Sequence, residues 1–199
     1  MFAAVRPTPP AIDRFICNSQ ALPLSYSPVG IVRTETTHGD HDEEVVAIGH
    51  GRADFQRARS ALEAWKQFDI GWVELFPADA PVVAGTVVAV LIRHFGFWSL
   101  NGCRVVYAVG DSDQGARFGF AYGTLTNHAK AGEELFEVFL DPQTEDVMYR
   151  IRAVSWPHAM LTRLGQPIVR LLQARFRKDS AEAMKRAMRP DRLPSDSSR

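Results

Sequence analysis

The sequence predicts an α+β fold in which a curved antiparallel sheet wraps around a long C-terminal helix. Residues 118–140 contain two alternating strand patterns joined by a short connection, which is typical of a β-hairpin. Residues 158–188 carry leucine and isoleucine at helical spacing. The chain has 199 residues, which is enough for one domain with a single buried core.

The first half of the chain is predicted to supply an arm, a helix and the start of the sheet. Residues 1–24 are rich in proline and are predicted to form a loosely attached arm with one helical turn. Residues 44–49 are predicted as a strand, and Asp54 is predicted to cap the helix that follows. The β-branched run 81–93 and residues 104–109 are predicted as further strands.

The strands of the second half have faces of different character. In residues 118–128 one face is Phe118, Phe120, Tyr122, Thr124, Thr126 and His128, and in residues 133–140 one face is Glu134, Phe136, Val138 and Leu140. Residues 147–156 place small and apolar side chains on one side and arginines on the other. This alternation predicts a sheet with one covered face and one face toward water.

The C-terminal helix is predicted to pack against the covered face through Leu164, Ile168 and Leu171. This packing is the helix-grip arrangement, and it predicts a cavity between sheet and helix that is open at one end. We expect residues 25–189 to form the single domain. Residues 190–199 contain mainly proline, serine and charged side chains and are predicted to be disordered.

Composition excludes several classes of protein. Lys+Arg and Asp+Glu both number 23, so the net charge is zero and nucleic acid is not an expected partner. No run approaches the roughly 18 apolar residues of an integral membrane segment. Neither a signal peptide nor a cofactor-binding motif is recognisable, so we expect a cytoplasmic protein without a cofactor. Cys17 and Cys103 are expected to be free thiols.

Several short motifs occur together between residues 26 and 188. They are Tyr26 with Val29-Gly30, GHGRADF from Gly49, Trp65, Gly71-Trp72, CRVVY from Cys103, GFAYGTLTNH from Gly119, GEELF from Gly132, SWP from Ser155, and Gln173 with Arg175-Phe176. This combination resembles DUF1990 (UPF0548 type), a domain of unknown function. That family looks like a distant relative of the START and Bet v 1 superfamily of hydrophobic-ligand carriers. The resemblance therefore implies a helix-grip fold and a small hydrophobic ligand, but no catalytic residue.

Glu134 is the strongest candidate for a functional side chain. It shares a strand face with Phe136 and Val138, so its pKa is expected to be raised by apolar surroundings. It either orients a polar ligand group or acts as a general acid or base; alternatively, it pairs with a cation such as Arg104. Tyr122 and Thr124 on the neighbouring strand either bond to ligand at the cavity wall or complete the core.

Other candidates are predicted from their positions near the cavity. The predicted ligand-binding set comprises Trp72, Trp98, Arg104, Tyr107, Tyr122, Thr124, Glu134 and Ser155. The apolar turn at residues 94–98 either rims the cavity mouth or closes the core. His128 is either a third catalytic group or an exposed turn residue, and Cys103 is predicted to be a small buried side chain.

The cluster of His38, Asp40, His41, Asp42 and His50 is loosely compatible with zinc or nickel. No strand or helix is predicted to fix these side chains, so we interpret them as a solvated turn and predict no metal. The last 41 residues contain ten basic and four acidic side chains, a charge of +6. This basic helix either makes a weak contact with lipid or a partner, or is the solvated back of a packed helix.

Three hypotheses about function follow. The first is a binding module that holds a small hydrophobic or amphipathic ligand between sheet and helix. The second is an enzyme of the lyase, cyclase or hydrolase type, in which Glu134, Tyr122 and His128 supply acid–base groups. The third is a partner-binding protein that works through the basic last helix.

Overall fold

The computed structural model describes residues 1–34, 39–110, 115–157 and 166–189. Along these ranges the strands are β1 (Phe2–Ala3), β2 (Asp40–His50), β3 (Val73–Phe76), β4 (Val87–Arg93), β5 (Trp98–Val109), β6 (Arg117–Thr124), β7 (Lys130–Leu140) and β8 (Asp146–Pro157). The α-helices are α1 (Pro9–Ser19), α2 (Gly51–Glu63) and α3 (Gln166–Ala187), with short 3-10 helices at Ile31–Arg33 and Lys66–Phe68. None of the helices in these ranges is long and apolar enough to cross a membrane.

The strands form one antiparallel sheet in the order β2-β8-β7-β6-β5-β4-β3, with β1 paired to β5. The consecutive strands β3 to β8 are neighbours, as expected when short turns join antiparallel strands. β2 pairs with β8 and closes the other edge. The curved sheet and the C-terminal helix confirm the predicted helix-grip fold.

The main core lies between the inner face of the sheet and the helices α2 and α3. Its interior is aromatic: the ring centroids of Phe68 and Phe136 are 5.6 Å apart, and those of Phe68 and Phe176 are 5.5 Å apart. Leu62 and Met184 complete it from the two helices and are fully buried. Each such side chain stabilises the fold by about 1.5–3 kcal/mol.

The outer face of the sheet is covered by the N-terminal segment. Ile12 of α1 packs with Leu91 and Leu100, so the prediction of a loose arm with one helical turn is wrong. Pro9 and Pro10 begin this helix, where a missing backbone N–H costs nothing because that group has no helical partner. The apolar spacing of the residues that follow then provides a packing face.

Two boundaries near the start of the sheet differ from prediction. β2 begins at Asp40, so the acidic segment expected to be a turn is strand, paired with β8 through Ser155. This edge strand tolerates its charges because Glu43 faces water, and the half-buried Asp40 and Asp42 pair with arginines of α3. Helix α2 begins at Gly51 rather than at Asp54; the Asp54 carboxylate instead accepts a hydrogen bond from the His50 backbone N at 3.0 Å.

Helix α3 packs with a different face from the one predicted. Leu171 is 66% exposed, so the prediction that it packs on the sheet is wrong. Its neighbour Leu172 and the residues Phe176 and Met184 belong to the core instead. The predictions for Leu164, for the side chain of Ile168 and for the tail 190–199 lie outside the described residues.

Candidate functional site

The inner face of the sheet carries a polar pair within the aromatic core. Tyr122 of β6 and Glu134 of β7 are directly paired in the strand register, as the alternation pattern predicts. The Tyr122 hydroxyl donates a hydrogen bond to Glu134 Oε2 at 2.6 Å. Tyr122 also contacts Phe68 and Phe136, with ring centroids 6.2 and 5.4 Å away. Tyr122 is buried, whereas Glu134 remains partly exposed.

The surroundings of the pair bring the pKa of Glu134 into a range in which a carboxyl group can donate or accept a proton. Burial raises the pKa of Glu134 to about 7, although the Tyr122 hydrogen bond and the charges of Lys130 and Arg177 oppose this shift. Burial also raises the pKa of Tyr122. Near neutral pH Glu134 therefore exists in both forms: the protonated form can donate to a carbonyl oxygen and the ionised form can accept from a hydroxyl.

A second polar group lies between the sheet and α3, at the β7 end nearest Lys130. Lys130 Nζ donates to Ser155 Oγ at 2.8 Å, and Gln173 Nε2 donates to the same oxygen at 3.2 Å. The pKa of Lys130 is lowered, chiefly by burial. Gln173 Oε1 is buried and has no hydrogen-bond partner within the described ranges. Sequence reasoning selected Ser155 but missed Lys130 and Gln173, which only the fold brings together.

The acidic residues of β2 are held by arginines of α3. Arg170 Nη2 lies 2.9 Å from Asp40 Oδ1, and Arg177 Nη1 lies 3.0 Å from Asp42 Oδ1. In the part of the chain that the structure covers, no group of three or more His, Cys, Asp and Glu side chains is arranged to hold a metal ion. His38 lies outside that part.

The outer face carries a buried carboxylate that sequence reasoning missed. Glu133 is 2% exposed and accepts hydrogen bonds from the Tyr26 hydroxyl at 2.6 Å, the Gly30 backbone N at 2.8 Å and the Tyr107 hydroxyl at 2.8 Å. The Tyr26 ring lies over Gly123, where an added Cβ would come within 2.3 Å of its hydroxyl oxygen. The alternation of Glu133 with Leu135 was the available signal, because it places a carboxylate on a covered face.

Four predicted ligand-binding residues are not part of the polar interior. Arg104 donates to the backbone oxygens of Gln20 and Leu22 on the outer face, so it does not pair with Glu134. Trp98 packs in the cluster beneath α1. A bulge between Val105 and Tyr107 turns the tyrosine toward the outer face.

The fourth of these residues, Thr124, is engaged with the backbone. Its hydroxyl accepts a hydrogen bond from the Gly132 backbone N at 2.9 Å and lies 2.6 Å from Ser25 Oγ. His128 Nδ1 lies 2.9 Å from the Lys130 backbone N, so its ring is held in the β6–β7 turn. Cys103 is buried on the inner side as predicted, and burial raises the pKa of its thiol. Tyr122 and Glu134 thus form one pair on the inner face, while Ser155 belongs to the group with Lys130 and Gln173.

A surface depression lies beside Trp72, between the β4–β5 turn and α3. Its volume is about 460 Å³, and its lining is Phe95, Leu171, Leu172, Ala174, Arg175, Lys178 and Asp179. Phe95 is 83% exposed. The Trp72 indole N donates to Asp179 at 2.8 Å, and the Arg175 guanidinium carbon lies 4.8 Å from the centroid of its ring. The residues of the 94–98 turn therefore lie in two places. Phe95 lines this depression, whereas Trp98 packs beneath α1.

The fold defines the class as a helix-grip protein, here with two polar groups on the inner face between sheet and helix. The model of the family described as a domain of unknown function (DUF1990) matches residues 25–183. The chain belongs to this family.

Curated relatives support the family placement, and a solved structure shares the fold. A UPF0548 protein of Dictyostelium discoideum is 36% identical over 157 residues, covering 75% of this chain and 73% of the relative. A UPF0548 protein of Deinococcus radiodurans is 33% identical and covers 94% of this chain and 98% of the relative. A solved norcoclaurine synthase of Thalictrum has a TM-score of 0.50 at 9% identity, covering 78% of this chain and 97% of that one. This last likeness concerns the fold alone.

Proposed function

We propose that this protein binds a small amphipathic ligand between the sheet and α3, with the polar end of the ligand beside Tyr122 and Glu134. The observation that carries the proposal is the 2.6 Å hydrogen bond between these two side chains within an aromatic interior. A carboxylate among apolar side chains costs stability unless several partners satisfy it. Residues that impose such a cost occur preferentially at functional sites.

The partial exposure of Glu134 supports access by a ligand. Glu134 keeps part of its residue surface accessible, although the aromatic side chains Phe68 and Phe136 pack around its tyrosine partner. The depression lined by Phe95 and Leu171 adds an apolar surface beside α3, next to the core residue Leu172. We infer that the apolar body of the ligand lies against the aromatic side chains and that a hydroxyl or carbonyl group bonds to Glu134.

Titration with Nile red, a neutral fluorescent probe with a carbonyl acceptor, tests this proposal. The informative variant is Tyr122→Phe, which removes one hydroxyl from the inner face. Its matched control is Tyr107→Phe, which removes a hydroxyl bonded to the adjacent Glu133 on the outer face. We expect a blue-shifted emission with wild type. We expect affinity weakened about tenfold in Tyr122→Phe, because Glu134 then loses the hydrogen bond that orients its carboxyl group toward the ligand, and little change in Tyr107→Phe.

Circular dichroism must first show that both variants are folded. Equal loss of probe affinity in the two variants, or saturable binding that neither affects, would place the binding site elsewhere. Native mass spectrometry of protein purified from its own host extends the test, because a retained ligand adds its mass directly. We expect such a ligand to be lost from Tyr122→Phe and retained by Tyr107→Phe.

An enzyme on the same scaffold is the second candidate, and the pKa of Glu134 favours it. A general acid or base is most effective when its pKa lies near the working pH, and that of Glu134 is about 7. In this case the retained compound is converted, and Glu134→Gln binds it without converting it. Incubating that compound with wild type and with Glu134→Gln distinguishes the candidates: an unchanged ligand mass with both proteins favours the carrier.

The proposed setting is the cytoplasm. Cys17 and Cys103 are free thiols, as is usual in a reducing compartment. The binding role needs neither a metal nor a cofactor, since the groups that hold the ligand are side chains of the inner face.

A further inference from the structure

Lys130 lies among charged groups but makes no direct ion pair with a described residue. Its charged neighbours include Asp40, Asp42, Glu134 and Arg170. Asp40 is already bonded to Arg170, and Asp42 to Arg177. Among the described residues no carboxylate lies within ion-pair distance of Lys130, whose hydrogen bond goes instead to the Ser155 hydroxyl.

A half-buried ammonium group without a counter-ion is costly, because burial removes part of its hydration without replacing it. Three cations, Lys130, Arg170 and Arg177, lie at this end of the interior. The acids there are Asp40, Asp42 and Glu134. Glu134 carries a full negative charge only above neutral pH, since its pKa is about 7. These charges are equal in number when Glu134 is ionised, but Lys130 makes no direct ion pair with a described residue, and an anionic ligand group would provide one.

We propose that Lys130, Ser155 and Gln173 form the binding site for a carboxylate, and that the ligand is an amphipathic organic acid. This inference rests on the proposed function, since it specifies the polar end of a ligand that occupies the same interior. The three side chains converge on one point, because Lys130 and Gln173 both donate to Ser155 Oγ. They come from β7, β8 and α3, so only the packed helix completes the site.

The side-chain amide of Gln173 can supply further donors at this point. Its Oε1 is buried without a partner. Rotation of the amide by half a turn lets this oxygen accept the Ser155 hydroxyl proton, and the two N–H donors then face a ligand oxygen. The carboxylate would accept hydrogen bonds from Lys130 and Gln173, two donors that the aspartates of β2 do not engage.

A pair of probes that differ only in charge tests the inference. These are 11-(dansylamino)undecanoic acid and its methyl ester, titrated by dansyl fluorescence at pH 7. The variants are Lys130→Met, which keeps the length of the side chain, and Lys130→Arg, which keeps its charge. Lys66→Met in the exposed part of the 3-10 helix Lys66–Phe68 is the control for loss of a lysine.

We expect wild type to bind the acid at least tenfold more tightly than the ester. Lys130→Met should remove this preference by weakening the acid alone, while Lys130→Arg and Lys66→Met retain it. Equal affinity of wild type for acid and ester would overturn the inference and leave the proposed function standing. Failure of both probes to bind would contradict the proposed function itself, and this inference with it.

Discussion

Two adjacent glutamates, Glu133 and Glu134, show how differently the two faces of this sheet use the same side chain. The outer carboxylate of Glu133 is 2% exposed and accepts hydrogen bonds from two tyrosine hydroxyls and one backbone N–H. The inner residue Glu134 is partly exposed, and its carboxylate accepts a hydrogen bond from the Tyr122 hydroxyl. One residue step along β7 thus separates a saturated carboxylate from one with capacity for another partner.

Burial of a glutamate side chain therefore does not by itself make that residue a candidate for ligand binding or proton transfer. The donors to Glu133 come from Tyr26, Gly30 and Tyr107, two of them in the N-terminal segment that crosses the outer face. Together these hydrogen bonds hold the N-terminal segment against β7. A carboxylate that accepts three hydrogen bonds within the protein has little capacity left to bind a ligand, whereas Glu134 lies among aromatic side chains, and burial raises its pKa.

The largest expected effect comes from removing the outer carboxylate. Glu133→Gln should lower the free energy of unfolding by about 2–3 kcal/mol, because an amide has one acceptor oxygen for three buried donors and loses the charge assistance. Glu134→Gln should cost less than about 1 kcal/mol at pH 5, where a protonated carboxyl and an amide are similar. Guanidinium denaturation of both variants measures the difference. Equal losses would mean that the two faces do not differ in this way.

The next effect is a pH dependence confined to the inner carboxylate. Folding raises the pKa of Glu134 from 4.5 to about 7, so the folded state binds the proton more tightly. Its contribution to stability is therefore full below about pH 4.5 and is lost as the pH rises through 7. From pH 5 to pH 8 wild type should lose about 1–2 kcal/mol relative to Glu134→Gln, allowing for the partial exposure of the group.

Urea denaturation of wild type and Glu134→Gln across this pH range measures that loss. The exposed substitution Glu63→Gln on α2 is the control for removing a carboxylate. Parallel pH profiles of wild type and Glu134→Gln would contradict the raised pKa and weaken both proposals for the inner face.

The fold could be predicted because its signals are local and repeated. The alternation in β6 and β7 and the apolar spacing of α3 each extend over several residues, so single exceptions do not change the result. The predicted element boundaries were wrong where tertiary packing sets them. For example, β2 extends to Asp40 because β8 provides hydrogen-bond partners for it. On α3 the predicted packing residue was Leu171, whereas Leu172 packs on the core. Both are leucine, and neighbouring helical positions are about 100° apart, so the sequence alone did not decide between them.

The site could be predicted only where one strand face carries the information. Glu134 and Tyr122 follow from alternation and pairing. Tyr107 did not, because a bulge reverses the alternation in β5 and nothing in CRVVY marks it. Lys130 and the Glu133 cluster depend on residues far apart in the chain, and their relation appears only after the helix and the N-terminal segment have packed.

The smallest expected effect tests the solvent-exposed edge of the outer cluster. The Arg33 guanidinium carbon lies 3.9 Å from the centroid of the Tyr107 ring. An exposed cation–π contact of this kind contributes about 0.5–1 kcal/mol, so Arg33→Ala should lower the free energy of unfolding by that amount. Arg14→Ala on α1 is the control, and it should have less effect. Arg33 lies outside the interior, so probe binding should not change in either variant. Weakened probe binding in Arg33→Ala would instead show that the two faces of the sheet are coupled through Tyr107.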